Sequence, residues 1–233
     1  MSCINCKHDF EGLFCPTCGE KQEIPRITFG STISSIYSGF LDMDKGFLYN
    51  LKNLTIAPKD TILQYINGKR KYILNPVSYA IVTISIYLLL DSLLPRGSGT
   101  KLSKVDPFGA EEMGYKLGVF IGDKMKFLWL TLVLYLAFFT RLFFRKYNYF
   151  EHIAINSFIL GHATIIAILT RLIFNRELII FNFIVFFYVS ILLYKVFKNP
   201  KDPFGTKALS ILIVFFSYLL FIGFPFIIAN FML

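Results

Sequence analysis

The chain has 233 residues, of which 55% are hydrophobic and only 17% are charged. Soluble domains carry about 25% charged residues. With 27 phenylalanines and long apolar runs, this chain is therefore not expected to fold as a soluble globular protein. The net charge of +9 does not by itself indicate nucleic-acid binding, because Lys and Arg collect in the cytoplasmic loops of membrane proteins.

The first 24 residues form a cysteine-rich module. Cys3-x2-Cys6 and Cys15-x2-Cys18 are separated by eight residues, a spacing that allows two knuckles to place four thiolates around one Zn²⁺. No apolar signal sequence opens the chain, so the module is expected in the cytosol, where reduced thiols disfavour disulfides. The pattern predicts a closed, structural zinc ribbon over 1–24, with His8 as a surface residue.

The predicted ribbon is poor in basic residues. Residues 1–20 contain Lys7 against Asp9, Glu11 and Glu20, and a four-thiolate zinc centre adds further negative charge. Phosphate binding requires local Lys and Arg. We therefore expect the ribbon to dock a protein partner at the cytosolic face, and no nucleic acid.

Residues 25–74 have amphipathic helical periodicity. A first apolar stripe covers 29–41, a polar turn is predicted at 42–46, and a second stripe begins at Phe47. Pro58 suits the first turn of a third helix and Gly68 suits its C-terminal cap. These segments are too short and polar to span a bilayer, so they are predicted to be cytosolic helices that lie on the membrane surface or against the bundle.

From Asn75-Pro76, an N-cap followed by an N1 proline, the chain is mostly apolar. About 20 apolar residues are needed to cross a bilayer. The sequence predicts an all-α integral membrane fold, with a transmembrane bundle over 75–233. Its five predicted spans are 75–94, 125–144, 152–172, 177–196 and 208–231.

The distribution of Lys and Arg predicts the sidedness of the bundle. With the N-terminus inside, the segments predicted to be cytosolic carry more Lys and Arg than the external ones, as the positive-inside rule requires. The distribution thus predicts a cytosolic N-terminus and an external C-terminus.

Four polar residues within the third predicted span or at its cytosolic mouth are candidate site residues: Glu151, His152, Asn156 and His162. Ionisable groups within a bilayer are costly, about 2.5–3.5 kcal/mol on insertion scales, and often mark a function. They could form a proton relay, or a metal or substrate site. They could equally form hydrogen bonds between helices without further function.

Depth in the predicted bundle suggests two ion pairs. Arg141 lies at the cytosolic end near Glu151, and Asp91 and Arg171 lie at a similar depth near the outer end. Gly161, in the third span, would permit the close approach of a neighbouring helix.

Three segments together carry a resemblance to a known family. They are the N-terminal Cys-x2-Cys pairs; the stretch from Asp44-Lys45-Gly46-Phe47-Leu48 through Pro58, Tyr65 and Gly68-Lys69-Arg70 to Asn75-Pro76; and Glu151-His152 at the start of a membrane helix. In these features the chain resembles a bacterial family of multi-pass membrane proteins, domain-of-unknown-function family 3667. The resemblance implies the same architecture and a place in the bacterial inner membrane, and it supplies no mechanism.

The sequence contains no nucleotide-binding loop, nucleophile elbow or metalloprotease motif. We expect a scaffold, assembly or regulatory protein that docks a partner through its ribbon. The alternative is a small transporter or channel, in homo-oligomeric form, with a path lined by Glu151, His152, Asn156 and His162. A third hypothesis is a membrane enzyme that acts on a lipid substrate with Glu151 and His152 as acid and base.

Overall fold

The structure is a computed structural model that describes residues 2–20, 26–33, 43–94, 125–174, 179 and 182–232. Its described part is helical apart from the cysteine module, which contains an isolated antiparallel bridge between Ser2 and Asp9. The helices are α1 (Met43–Ile56), α2 (Pro58–Ile66), α3 (Pro76–Leu93), α4 (Leu132–Phe143, preceded by a 3₁₀ turn Trp129–Thr131), α5 (Tyr149–Phe174), α6 (Phe183–Phe197) and α7 (Pro203–Met232).

Three of these helices are long and apolar enough to cross a membrane: α3, α5 and α7 over Pro203–Gly223. The predicted spans at 125–144 and 177–196 contain the shorter apolar helices Trp129–Phe143 and Phe183–Phe197. Among the described residues, helix length and composition therefore support a membrane protein with three candidate spans, and do not confirm five.

Helix α5 is the centre of the bundle, and α4 runs antiparallel to it. The indole Nε1 of Trp129 donates to Thr164 Oγ1 at 3.1 Å. At the other end of α4, Asn156 Nδ2 donates to Thr140 Oγ1 at 2.9 Å. Residue numbers rise along α4 as they fall along α5, so the two helices point in opposite directions, with α4 against the middle of α5.

Helix α6 covers another side of α5, also antiparallel. Asn182, its N-cap, donates from Nδ2 to Thr170 Oγ1 at 2.6 Å. At its C-terminal end the Phe197 ring stacks on the His152 ring, with centroids 5.6 Å apart. The α5 residues between these contacts are mostly buried.

Helix α3 begins as predicted. The side chain of Asn75 accepts hydrogen bonds from the backbone amides of Val77 and Ser78 at 2.9 and 3.3 Å, and Pro76 occupies the first turn. Proline lacks an amide hydrogen, so it is well suited to this position, where no intrahelical acceptor exists.

The close approach predicted at Gly161 is confirmed. A Cβ atom there would lie 2.9 Å from Tyr79 Cδ1 and 3.0 Å from Ala80 Cα on α3. The missing side chain therefore lets the backbones of α3 and α5 pack against each other.

The predicted polar turn at 42–46 is wrong over its described residues, because α1 begins at Met43 and continues through Gly46. The reason is a tertiary contact: a Cβ atom at Gly46 would lie 3.1 Å from Leu74 Cβ. The predicted stripe at 29–41 is helical over 29–33, and its remainder lies outside the described residues. Pro58 begins α2 and Gly68, with φ +99°, follows its end, as predicted.

Helices α1 and α2 pack directly on the bundle. The Phe47 and Tyr79 rings lie 5.5 Å apart, and Tyr65 meets Phe158 edge to face at 5.3 Å. Asn50, which is fully buried, donates from Nδ2 to the Leu74 carbonyl at 3.0 Å. The amphipathic segment is therefore part of the same packed core as α3 and α5.

Candidate metal centre and buried polar groups

The two Cys-x2-Cys pairs form the same turn twice. The amide of Lys7 donates to the Cys3 carbonyl at 3.1 Å, and the amide of Gly19 donates to the Cys15 carbonyl at 2.7 Å. Both residues that follow the second cysteine have left-handed φ angles, 64° at Lys7 and 70° at Gly19. The repeated turn directs the sulfurs of each pair toward the other pair.

The four cysteine sulfurs lie within 4.8 Å of one another. Cys3 Sγ is 3.5 Å from Cys18 Sγ, and Cys6 Sγ is 3.5 Å from Cys15 Sγ. Tetrahedral coordination with metal–sulfur bonds of about 2.3 Å would separate the sulfurs by about 3.8 Å. The cluster therefore fits a metal ion, with all four ligands supplied by the protein.

The thiols influence one another's ionisation. A hydrogen bond from the Cys6 backbone is the main cause that lowers the pKa of Cys3. Burial acts to raise the pKa of Cys15, but backbone hydrogen bonds from Cys18 and Thr17 bring it down to about 6. A backbone hydrogen bond from His8 favours the Cys6 thiolate and acts to lower its pKa, yet burial and the neighbouring sulfurs raise that pKa to about 12.

Glu20 attaches the cysteine module to the rest of the protein. Its carbonyl accepts from the Cys15 amide at 2.9 Å, and its carboxylate Oε2 accepts from the Lys71 amide at 3.2 Å. A Cβ atom at Gly19 would lie 3.0 Å from Lys71 Nζ, so the second turn sits directly against the loop between α2 and α3. His8 is exposed, as predicted.

Asn148 is the N-cap of α5, and Glu151 in the first turn completes its capping box. Glu151 Oε2 accepts from the Asn148 amide at 2.7 Å, while Asn148 Oδ1 accepts from the Glu151 amide at 2.8 Å. This reciprocal pair is a capping box. Glu151 also lies 3.7 Å from Arg26 Nε. The predicted pair with Arg141 is wrong for the described residues, since Arg141 instead donates to the Arg145 carbonyl.

His162 has a partner on both ring nitrogens. Its Nδ1 lies 3.1 Å from the Tyr79 hydroxyl on α3, and its Nε2 lies 3.4 Å from Thr55 Oγ1 on α1. The ring also faces Tyr188 of α6, with centroids 5.9 Å apart. His162 therefore joins three neighbouring helices to α5.

His152 and Asn156 are less fully paired. Asn156 donates to Thr140 Oγ1 and to the His152 carbonyl, but its own Oδ1 has no hydrogen-bond partner among the described residues. Both ring nitrogens of fully buried His152 also lack one there. The Phe144 backbone lies near the ring without reaching hydrogen-bonding geometry.

The four candidate residues of α5 thus have different surroundings. Glu151 completes the capping box of the helix, His162 connects α1, α3 and α5, and Asn156 connects α4 and α5. A cleft lined by residues of α2, the loop between α4 and α5 and the start of α7, and a smaller one beside Ile27 and Arg70, are lined by none of the four. Asn148, Thr55 and Tyr79 were not predicted from the sequence as partners of these residues. Only Asn148 had a local signal, the Asn-x-x-Glu pattern before an apolar run.

At the opposite end of α5 the predicted pair of Asp91 and Arg171 is confirmed. Arg171 Nε lies 3.1 Å from Asp91 Oδ1. Lys126, which the sequence analysis did not include, lies 2.6 Å from the other carboxylate oxygen. All three side chains are largely buried, so the carboxylate stands between two cations.

The apolar helices and the cysteine cluster together define a helical membrane-type protein with a candidate metal centre. A family model described as "Protein of unknown function (DUF3667)" matches residues 44–88, which include α2, nearly all of α1 and most of α3. This match confirms the resemblance over residues 44–88. No curated protein and no solved structure matches the chain.

Proposed function

We propose that the protein is a membrane scaffold, of the assembly or regulatory kind, whose zinc ribbon docks a protein partner at the cytosolic face. The observation that carries the proposal is a pair of exposed apolar side chains on the cysteine module, which is itself attached to the rest of the protein. Leu13 and Phe14 are 71% and 60% exposed. They stand directly before Cys15, on a module that Glu20 fixes to the loop between α2 and α3.

Zinc is the metal that this donor set favours. Four thiolates in a tetrahedral arrangement are typical of structural zinc sites, which leave no position open for water or substrate. Such a site supplies folding free energy to a module too small to have a sufficient core of its own. Its role would be to hold Leu13 and Phe14 in a fixed position, with no part in a reaction.

The surroundings of the apolar pair indicate the chemistry of the partner. Asp9 and Glu11 are exposed near it, and Ile4 is 43% exposed. A protein surface with a small apolar pocket and a basic rim would complement these groups. Nucleic acid would be repelled by the same carboxylates.

We further propose five membrane crossings in a bacterial inner membrane, with the N-terminus in the cytosol. The antiparallel contacts of α4 and α6 support this, because they bring Thr140 to Asn156 and Asn182 to Thr170 along the membrane-length helix α5. Two further helices at the same depth would cross with it. The positive-inside distribution of Lys and Arg supports the orientation.

The experiment compares two variants of the full-length protein with a matched control variant. Leu13→Ser/Phe14→Ser should retain one zinc per chain and lose the partner in crosslinking from intact membranes. Cys3→Ser/Cys15→Ser should lose both zinc and partner. Leu48→Ser/Tyr72→Ser, which alters exposed apolar residues outside the module, is the matched control and should keep both.

Two results would contradict the proposal. Unchanged crosslinks in Leu13→Ser/Phe14→Ser would exclude this surface as the docking site. A wild-type protein without stoichiometric zinc after purification in metal-free buffer would exclude the zinc ribbon.

The transporter hypothesis has one observation in its favour, the unpaired ring nitrogens of buried His152. Glu151 and His162 support it less, because their polar atoms are used by contacts within the bundle. The enzyme hypothesis needs Glu151 as a free acid or base, whereas its carboxylate accepts from the Asn148 amide. The scaffold therefore has the better support.

A further inference from the structure

A cleft of about 740 Å³ opens at the end of the bundle where α5 begins. Its walls come from α2, the loop between α4 and α5, and the segment that joins α6 to α7. Arg26 and Ile27, which follow the cysteine module, contact Glu151 and Asn148 at the same end. In the proposed orientation, the cleft therefore lies at the cytosolic membrane surface.

One part of the cleft lining is cationic and another part is apolar. Four cationic side chains contribute to it: Lys59, Arg145, Lys146 and Lys198. Its apolar wall includes Phe144, Phe197 and Leu209, and continues along α7 to Leu212. The Phe144 and Phe197 rings are stacked, with centroids 4.4 Å apart and an interplanar angle of 4°. A charged mouth thus adjoins an aromatic and aliphatic surface.

The cations of the cleft have no carboxylate partner among the described residues. The acidic residue in the lining is Asp202, and its Oδ1 accepts from the Gly205 amide at 2.8 Å as the N-cap of α7. With four cations against this one carboxylate, the cleft has a clear excess of positive charge. An anionic ligand would complement it.

His152 lies directly behind the apolar wall. Its ring stacks on Phe197 with an interplanar angle of 12°, and it meets Tyr147, another lining residue, edge to face. Neither ring nitrogen has a hydrogen-bond partner within the described chain. A fully buried polar ring without a partner is costly, but His152 does not itself line the cleft, so a ligand there would contact Phe197 and Tyr147 and not the imidazole.

We propose that this cleft binds a phospholipid with an anionic head group. Lys59, Arg145, Lys146 and Lys198 contact the phosphate and the head group, and the acyl chain lies along Phe144, Phe197 and Leu209. The position supports a lipid over free phosphate, because phosphate alone has no use for the apolar wall. An anionic lipid of the cytosolic leaflet would supply both parts.

The test is native mass spectrometry of the full-length protein in a non-ionic detergent, titrated with phosphatidylglycerol or phosphatidylcholine of the same chain lengths. Lys59→Gln/Lys146→Gln/Lys198→Gln should weaken phosphatidylglycerol binding about tenfold or more. Lys52→Gln/Lys195→Gln/Lys207→Gln removes the same charge from exposed lysines outside the lining, and should change binding by less than about twofold.

A second variant tests the apolar wall without changing charge. Leu209→Trp would fill the part of the cleft assigned to the acyl chain, and should weaken phosphatidylglycerol binding while the four cations remain. This variant also keeps the proposal testable if the triple lysine variant fails to fold.

Several outcomes would overturn the proposal. Equal effects of the two triple lysine variants would show attraction to net charge only. Equal binding of phosphatidylcholine would remove the head-group selectivity. Displacement by inorganic phosphate at the same concentration as lipid would assign the site to a free anion, and displacement by a polyglutamate peptide would assign it to an acidic protein.

Discussion

The carboxylate of Glu20 accepts a hydrogen bond from the backbone amide of Lys71, 51 positions further along the chain, at 3.2 Å. Glu20 is 7% exposed, so the bond is protected from water. It joins the cysteine module to the loop that separates α2 from α3, within the segment that matches the family model.

Glu20→Ala should release this loop. A hydrogen bond to a charged acceptor contributes about 1.5–3 kcal/mol, so hydrogen exchange at the Lys71 amide should accelerate about tenfold or more. The measurement is hydrogen–deuterium exchange of the full-length protein in detergent. Glu11→Ala, which removes an exposed carboxylate from the same module, should leave this amide unchanged; equal acceleration in both variants would count against the contact.

Glu151 offers a test that separates its capping role from its charge. Glu151→Gln keeps a side-chain acceptor for the Asn148 amide, so it should cost less than about 0.5 kcal/mol, given that the Arg26 partner is exposed. Glu151→Ala removes the acceptor of the Asn148 amide, half of the capping box, and should cost about 1.5–3 kcal/mol of stability. Thermal unfolding in detergent measures both. If both variants were equally destabilised, the negative charge and not the cap would be the important property.

Gly161 and Gly223 form a matched pair of glycines within membrane-type helices. At Gly161 an added Cβ would meet Tyr79 and Ala80 of α3, whereas at Gly223 it would meet nothing within 4 Å. Gly161→Ala should therefore cost about 1–3 kcal/mol through overpacking, and Gly223→Ala should be neutral or slightly stabilising. Thermal unfolding of the two variants, measured side by side, checks the difference in sign.

The contact between Tyr79 and His162 tests whether this histidine is structural. Tyr79→Phe leaves Nδ1 of a buried ring without its partner and should lower stability by about 1–3 kcal/mol. Tyr135→Phe, a partly buried tyrosine on α4, is the control and should cost less. His162→Ala should likewise destabilise the bundle. If His162→Ala instead abolished ion or solute flux in proteoliposomes at unchanged stability, the transporter hypothesis would be favoured over the scaffold hypothesis.

Local sequence patterns predicted those structural features whose cause lies within a few adjacent residues. Asn75-Pro76, Pro58 and Gly68 predict the ends of helices because capping depends on a few adjacent residues. The two Cys-x2-Cys pairs predict the cysteine cluster for the same reason. In contrast, the Asn148-x-x-Glu151 pattern was present and was not recognised as a capping box, because an acidic residue near a membrane helix also suggests a function.

Distant contacts could not be predicted in the same way. The similar depth of Asp91 and Arg171 in the predicted bundle was enough to predict their ion pair. It did not predict the contact with Lys126, which precedes α4 on a separate segment. The continuation of α1 through Gly46 depends on Leu74, 28 positions away, which no local pattern reveals. Such contacts arise from packing, and packing overrides the local preference of glycine to end a helix.

The buried hydrogen bond from Asn50 to the Leu74 carbonyl has a practical consequence for shortened versions of this protein. A chain that starts at residue 75 would still contain every apolar helix long enough to cross a bilayer. It would nevertheless lose the helix that covers Tyr79 and the threonine that meets His162. Such a fragment would insert into lipid with part of its interior uncovered, and its behaviour would say little about the intact molecule.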